Sequence, residues 1–137
     1  ERRRGGILNV GSVAGYFPGP RMTIYFSTKA FVRSFTDGLV EEVRGTGVTV
    51  TNLAPGPTET NFSAVARSHY QRQAQTPKKS AAEVARDGYQ GFRSGKAVVI
   101  PGAQSWLLAH VVAKFLPRAL IRRLVGKYNQ LDESRNP

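Results

Sequence analysis

Three short apolar segments, separated by stretches with helical periodicity, limit the folds that this chain can adopt. The segments are residues 7–10 (Ile-Leu-Asn-Val), 48–53 (Val-Thr-Val-Thr-Asn-Leu) and 96–100 (Lys-Ala-Val-Val-Ile). Short runs rich in apolar and β-branched residues favour buried strands. Alternation of such strands with helices is typical of parallel βαβ crossovers. We therefore expect an α/β fold with three parallel strands, lying side by side in this order and connected by crossover helices.

The stretches between and after the strands carry helix signals. Apolar residues recur at three- and four-residue steps from Thr23 to Arg44, where two glycines follow. Ser80 and Glu83 have the spacing of a capping box, which predicts a helix that continues to about Phe92. Residues 106–128 are amphipathic and interrupted at Pro117, whereas residues 60–75 are polar and only weakly helical in pattern.

The composition excludes several kinds of site. The 137 residues include no cysteine, so disulfides, thiolate metal ligands and thiol nucleophiles are excluded. The two histidines, His69 and His110, lie far apart and outside any metal-ligand motif, and we expect no metal site. Of the net charge of +11, most lies in residues 67–137, which contain thirteen Lys or Arg against four Asp or Glu. A solvated basic face is the simplest interpretation, with an anionic partner as the alternative.

The pair Tyr25 and Lys29 is a candidate for acid–base chemistry. Residues four positions apart share one face of a helix. A nearby cation favours the phenolate and lowers the pKa of a tyrosine, so such a phenol can exchange a proton with a carbonyl or alcohol oxygen. The same spacing also occurs by chance in ordinary helices, so the pair needs further support.

Two loop segments supply that support. Ser12 follows the first strand, and Pro55, Gly56 and Thr58 follow the second. Parallel sheets place their binding sites at the carboxyl ends of the strands, where both loops are expected. Either loop, taken alone, is equally well explained as a tight turn.

Taken together, these motifs resemble the short-chain dehydrogenase/reductase family. The resemblance rests on Gly11-Ser12 after a strand, on Tyr25-x-x-x-Lys29 thirteen residues after the serine, and on the segment from Asn52 to Thr60, and it covers residues 5–62. It implies the second half of a doubly wound, Rossmann-like sheet. It also implies hydride transfer between NAD or NADP and a carbonyl or alcohol substrate, with the choice of dinucleotide left open.

The resemblance also implies roles for single residues. Tyr25 is similar to the family's acid/base, Lys29 to the residue that lowers the phenol pKa and binds the nicotinamide ribose, and Ser12 to the residue that orients the substrate carbonyl. Pro55, Gly56 and Thr58 are similar to the loop that faces the nicotinamide. By the same resemblance, Phe62 and its neighbours correspond to a variable lid over the substrate.

The sequence also departs from the family pattern. The family's glycine-rich pyrophosphate turn, its residue that selects the dinucleotide and its catalytic asparagine are not found. Gly11, Gly15 and Gly19 are regularly spaced, but Pro18 and Pro20 prevent the helix that a pyrophosphate turn requires. We therefore expect residues 1–103 to be a partial Rossmann-like domain that is inactive alone. Another copy or a missing N-terminal half is expected to cover the strand at 7–10.

Residues 104–137 form a predicted basic, amphipathic helical extension. Its stripe of apolar residues packs over the substrate pocket or another subunit, or else residues 104–128 contact an anionic membrane surface. A nucleic-acid binder is disfavoured because regular aromatic stacking platforms are not found. A truncated, non-catalytic interaction module is the alternative to an enzyme. The lack of cysteine fits a reducing compartment, and we see no targeting segment. We expect a cytoplasmic protein, with membrane contact at most peripheral.

Overall fold

A computed structural model describes residues 5–62 and 76–130. The strands are β1 (Gly5–Val10), β2 (Val48–Leu53), β3 (Thr58–Glu59), β4 (Lys79–Ser80) and β5 (Val98–Val99). The α-helices are α1 (Thr23–Glu42), α2 (Ala81–Arg93), α3 (Ala103–Leu107), α4 (Ala113–Phe115) and α5 (Arg118–Tyr128). A short 3-10 turn (Val13–Tyr16) precedes α1, and a π-helical turn (Leu108–Val112) joins α3 to α4.

The main sheet has the predicted composition and direction. Its strand order is β1-β2-β5 and both pairs are parallel, with Gly5 opposite Val48 and Val10 opposite Leu53. The prediction of three adjacent parallel strands in chain order is therefore confirmed. Each crossover is helical, through α1 and then α2, as expected for parallel connections.

The third strand is shorter than predicted. The sequence suggested residues 96–100, but the ladder contains only Val98 and Val99. The amide of Lys96 donates to the carbonyl of Gly91 at 3.0 Å, so Lys96 belongs to the turn that leaves α2. At the other end Pro101 has no N–H to donate. The amide of Ala54 nevertheless donates to the carbonyl of Val99, which extends the pairing beyond the end of β2.

The helix ends follow the predicted chemistry. Ser80 and Glu83 form the capping box at the start of α2, with the Ser80 hydroxyl accepting from the Glu83 amide and the Glu83 carboxylate accepting from the Ser80 amide. Helix α1 ends at Glu42, two residues before the predicted end at Arg44, because the chain turns there towards Gly45, whose φ is +79°.

The core lies around β2. Val50, Leu53 and Ala54 are buried, and α2 packs against this part of the sheet through Val84 and two glycines. Gly88 lies against Leu53 and Gly91 against Val99, with no room for a β-carbon at either position. Helix α2 therefore packs close to the sheet because glycine has no side chain at these two positions. On β1, Asn9 binds the Thr36 hydroxyl of α1 through its side-chain nitrogen at 3.0 Å.

The C-terminal extension is helical and is interrupted where the sequence predicts. Leu116 is extended, with ψ of 144°, and α5 begins directly after Pro117. The apolar stripe of α3 and the π turn is largely exposed in the described structure. Among the described residues, no helix is long and apolar enough to span a membrane.

The small β3–β4 pair was not predicted. It is parallel, with Thr58 opposite Lys79, and it joins the loop after β2 to the residues before α2. The intervening polar segment, predicted as weakly helical over residues 60–75, lies mostly outside the described residues, as do the segments 1–4 and 131–137.

Candidate active site

Ser12 and the loop after β2 meet at the carboxyl edge of the sheet. The Ser12 hydroxyl donates to the carbonyl of Pro55 at 3.4 Å, and the amide of Val13 donates to the same carbonyl at 3.0 Å. The Ser12 oxygen also accepts from the amide of Ala14 at 3.1 Å. The structure therefore brings these two sequence-predicted segments together, as adjacent parallel strands require.

Tyr25 and Lys29 lie on the first turns of α1. The Lys29 ammonium nitrogen is 5.8 Å from the centroid of the Tyr25 ring. The same nitrogen donates to the carbonyl of Val10, the last residue of β1, at 3.1 Å. Lys29 thus connects the phenol-bearing helix to the strand end that leads to Ser12.

Aromatic rings surround the Tyr25 phenol. The Phe62 ring centroid lies 5.4 Å away in a tilted arrangement, and the Phe26 ring lies 6.0 Å away edge-on. Phe62 is itself exposed. The contact brings the Phe62 ring beside the Tyr25 ring, and the lid role that the family resemblance implies for Phe62 stays a prediction.

The loop after β2 is held by its own hydrogen bond. The Thr58 hydroxyl donates to the carbonyl of Gly56 at 2.9 Å, so this hydroxyl presents its oxygen as an acceptor for a further partner. A β-carbon at Gly56 would collide with the hydroxyl of Ser105. The sequence did not identify Ser105, because the start of α3 carries no motif that marks it.

The 3-10 turn places further residues near the candidate site, in a segment that the sequence predicted only as a loop. Gly15 is buried against the backbone of Lys29, and the guanidinium of Arg33 lies 4.4 Å from the centroid of the Tyr16 ring. Burial raises the pKa of Tyr16, although the positive charge of Arg33 opposes this shift. The Tyr16 ring also lies 6.2 Å from that of His110.

An open cleft of about 550 Å³ lies beside the site and not within the Ser12–Tyr25–Lys29 arrangement. Its lining includes Glu59, Thr60 and Asn61 from one side, and Thr76 and Lys78 from the other. In residues 5–62 and 76–130, no three His, Asp or Glu side chains converge as metal ligands would.

Comparison with known proteins assigns the family. A family model described as short chain dehydrogenase matches residues 1–71, just over half of the chain. The chain belongs to the short-chain dehydrogenase family. The predicted family membership and Rossmann-like α/β fold are thus confirmed.

Three individual proteins illustrate the similarity. Sulfoacetaldehyde reductase 2 of Chromohalobacter salexigens is 51% identical over 59 residues, which are 43% of this chain and 23% of the relative. Very-long-chain 3-oxoacyl-CoA reductase of Anas platyrhynchos is 30% identical over 131 residues, covering 95% of this chain and 39% of the relative. A solved short-chain dehydrogenase from Sphingobium yanoikuyae, in complex with NADPH, is 27% identical with a TM-score of 0.65, covering 96% of this chain and 48% of that one. The chain therefore spans less than half the length of each of these dehydrogenase-family proteins.

Proposed function

We propose that this chain supplies the acid–base side of an NAD(P)-dependent dehydrogenase site that interconverts a carbonyl and an alcohol. One observation carries the proposal: the Lys29 ammonium lies between the Tyr25 ring and the end of β1, at the edge where Ser12 meets the loop after β2. This arrangement combines a proton donor, a neighbouring cation and a polar hydroxyl in one place.

In the direction of reduction, Tyr25 gives its phenolic proton to the carbonyl oxygen of the substrate. The positive charge of Lys29 stabilises the phenolate that remains, and the hydroxyl of Ser12 turns from Pro55 to donate to the same substrate oxygen. A nicotinamide dinucleotide, when bound, would supply the hydride for the carbonyl carbon. In oxidation the proton returns to the Tyr25 oxygen.

The residues present fit the nicotinamide end of such a cofactor. The Thr58 oxygen can accept a hydrogen bond from a carboxamide, and Lys29 has further donors for a ribose hydroxyl. Pro55 and Gly56 precede Thr58 in the same loop. The described residues contain no glycine-rich turn at a helix start for the pyrophosphate. We therefore propose that the 137 residues alone do not turn over substrate. The NADPH complex of the Sphingobium yanoikuyae relative makes NADPH the first dinucleotide to test, with NADH beside it.

The test compares two tyrosine variants in a polypeptide that includes these residues and reduces a carbonyl compound. Tyr25→Phe removes the proton donor but keeps the ring, and should lower kcat by about 10²-fold or more. Tyr89→Phe is the matched control, since Tyr89 is 58% exposed on α2, and should leave kcat unchanged. Wild-type turnover by Tyr25→Phe would contradict the proposal.

A second candidate function is contact with an anionic membrane surface by the C-terminal extension of a cytoplasmic protein. Leu107, Leu108, Val111 and Phe115 are exposed together, and Phe115 is 70% exposed beside Lys114. Residues 103–130 contain five Lys or Arg and no Asp or Glu. Exposed apolar side chains with basic neighbours are typical of interfacial helices. Sedimentation with vesicles tests this function: binding to anionic but not to neutral vesicles supports it, and binding to neither excludes it.

We also propose a partner at the outer edge of β1. In the described structure β1 pairs only with β2, and Ile7 and Val10 are 46% and 59% exposed. An apolar strand with an unpaired side readily accepts another strand. A second copy of this chain or a polypeptide with the remaining dinucleotide site would pair there.

A further inference from the structure

The entry to the catalytic helix is held from outside by the end of α5. The first residue of α1 follows Met22, which provides no side-chain cap for the helix. The preceding residue, Arg21, has a φ of +67°, in the left-handed region that residues other than glycine rarely adopt. A helix start without a side-chain cap and with strained backbone needs support from elsewhere in the fold.

That support comes from residues more than 100 positions away in the chain. The Arg21 guanidinium donates to the carbonyl of Gly126 at 2.6 Å. The side-chain nitrogen of Asn129 donates to the carbonyl of Pro20 at 3.0 Å, and Asn129 is fully buried. Gly126 is also buried and lies directly against Pro20. We call these contacts among Pro20, Arg21, Gly126 and Asn129 the clasp.

The same helix also contacts the cleft beside the site. The hydroxyl of Tyr128 is 2.9 Å from that of Thr76, which lines the cleft that also contains Glu59 and Asn61. The end of α5 thus touches the loop that leads to Tyr25 and a residue of the adjacent cleft.

We propose that Arg21 and Asn129 are positioning residues, which fix the first turn of α1 and hence the Tyr25 phenol relative to Ser12 and Lys29. This inference rests on the proposed function. The phenol lies only three residues after the end of the Pro20–Met22 loop, so a displacement of this loop passes directly to it. Small displacements of a catalytic group reduce turnover strongly even when binding is retained.

The test uses two variants that break the clasp by different means. Asn129→Leu removes the donor at similar side-chain size, and Arg21→Asn removes the long donor but tolerates the left-handed backbone. Arg21→Lys retains a cationic donor and should rescue the effect in large part. Arg118→Ala is the control, because Arg118 is exposed on the same helix and lies outside the clasp.

Hydrogen exchange by mass spectrometry on the 137-residue chain is the first measurement. Both clasp variants should accelerate exchange in peptides covering residues 20–28 by about tenfold, where the amides of Met22 and Phe26 are hydrogen bonded, and leave α2 unchanged. Arg118→Ala should change neither. Unchanged exchange at 20–28, or an equal increase throughout the chain, would overturn the proposal.

Kinetics in the catalytically competent polypeptide separate positioning from general stability. Each clasp variant should lower kcat by about tenfold, with the KM for the dinucleotide within about twofold of the parent. If Tyr25→Phe abolishes turnover but the clasp variants keep the parental kcat, the positioning proposal fails and the proposed function stands. If Tyr25→Phe retains turnover, the proposed function fails and the exchange result alone decides whether the clasp holds the helix entry.

Discussion

The contact between Gly15 and α1 gives a sharp test of how α1 packs against the 3-10 turn. A β-carbon at Gly15 would lie 2.6 Å from the carbonyl oxygen of Lys29 and 2.9 Å from its carbonyl carbon. These are backbone atoms in the middle of a helix, so they cannot turn aside as the end of a flexible side chain can. Gly15→Ala must therefore push the 3-10 turn and α1 apart.

The expected cost is that of inserting a methyl group into a packed interior, about 1–3 kcal/mol in the free energy of unfolding. At about 3 °C for each kcal/mol in a chain of this size, Tm should fall by roughly 3–9 °C. Because the displaced segment carries Lys29, turnover in the competent polypeptide should also fall below the level explained by stability alone.

Gly38→Ala is the matched control. Gly38 lies in the same helix with no atom near its missing β-carbon, and neither glycine has a positive φ. A steric cost is therefore expected for Gly15→Ala and not for Gly38→Ala. Gly38→Ala should raise the free energy of unfolding by about 0.5–1 kcal/mol through helix propensity. Urea unfolding followed by circular dichroism measures both, and a Gly15→Ala chain as stable as Gly38→Ala would refute the packing argument.

Two further predictions concern the capping box and the edge of the sheet. Hydrogen bonds from the Ser80 hydroxyl and amide lower the pKa of Glu83, so its stabilising contribution is present above the ordinary glutamate pKa and is lost as pH falls through the lowered value. The difference in Tm between the parent and Glu83→Gln should accordingly shrink between about pH 6 and pH 3. Light scattering of the purified chain should give a mass above 15.0 kDa if, as proposed, the outer edge of β1 pairs with a second copy; a monomer with β1 still folded would contradict this.

Most of the fold predictions that proved correct rest on local sequence patterns. The order and direction of the main strands follow from the alternation of apolar runs and helical periodicity, and the start of α2 follows from the Ser80–Glu83 spacing. The shortened β5 and the β3–β4 pair depend on where the loops run, which periodicity does not report.

Some contacts of the candidate site could likewise be predicted from the sequence, whereas others could not. Tyr25 and Lys29 are neighbours on one helix, and their proximity follows from helical geometry alone. The contact of Ser12 with Pro55 follows from parallel strands having adjacent carboxyl ends. The hydrogen bonds of Arg21 and Asn129 reach acceptors that lie 105 and 109 positions away in the chain. Both acceptors are backbone carbonyls. Backbone acceptors exist at every residue, so no sequence pattern distinguishes the ones that are used.

Two buried polar neighbours on β2 allow a test of whether the interior of this fold is fully paired. Thr51 and Asn52 are both 0% exposed. The Thr51 hydroxyl donates to the carbonyl of Lys96 at 2.7 Å, whereas neither polar atom of the Asn52 side chain has a hydrogen-bond partner among the described residues. Replacing an unpaired buried amide with an apolar group removes a desolvation cost, so Asn52→Val should raise the free energy of unfolding by about 1 kcal/mol. Thr51→Val breaks a bond that is made and should lower it by about the same amount. If urea unfolding instead shows that Asn52→Val costs more than Thr51→Val, the Asn52 amide has a partner in solution and the interior around β2 is fully paired.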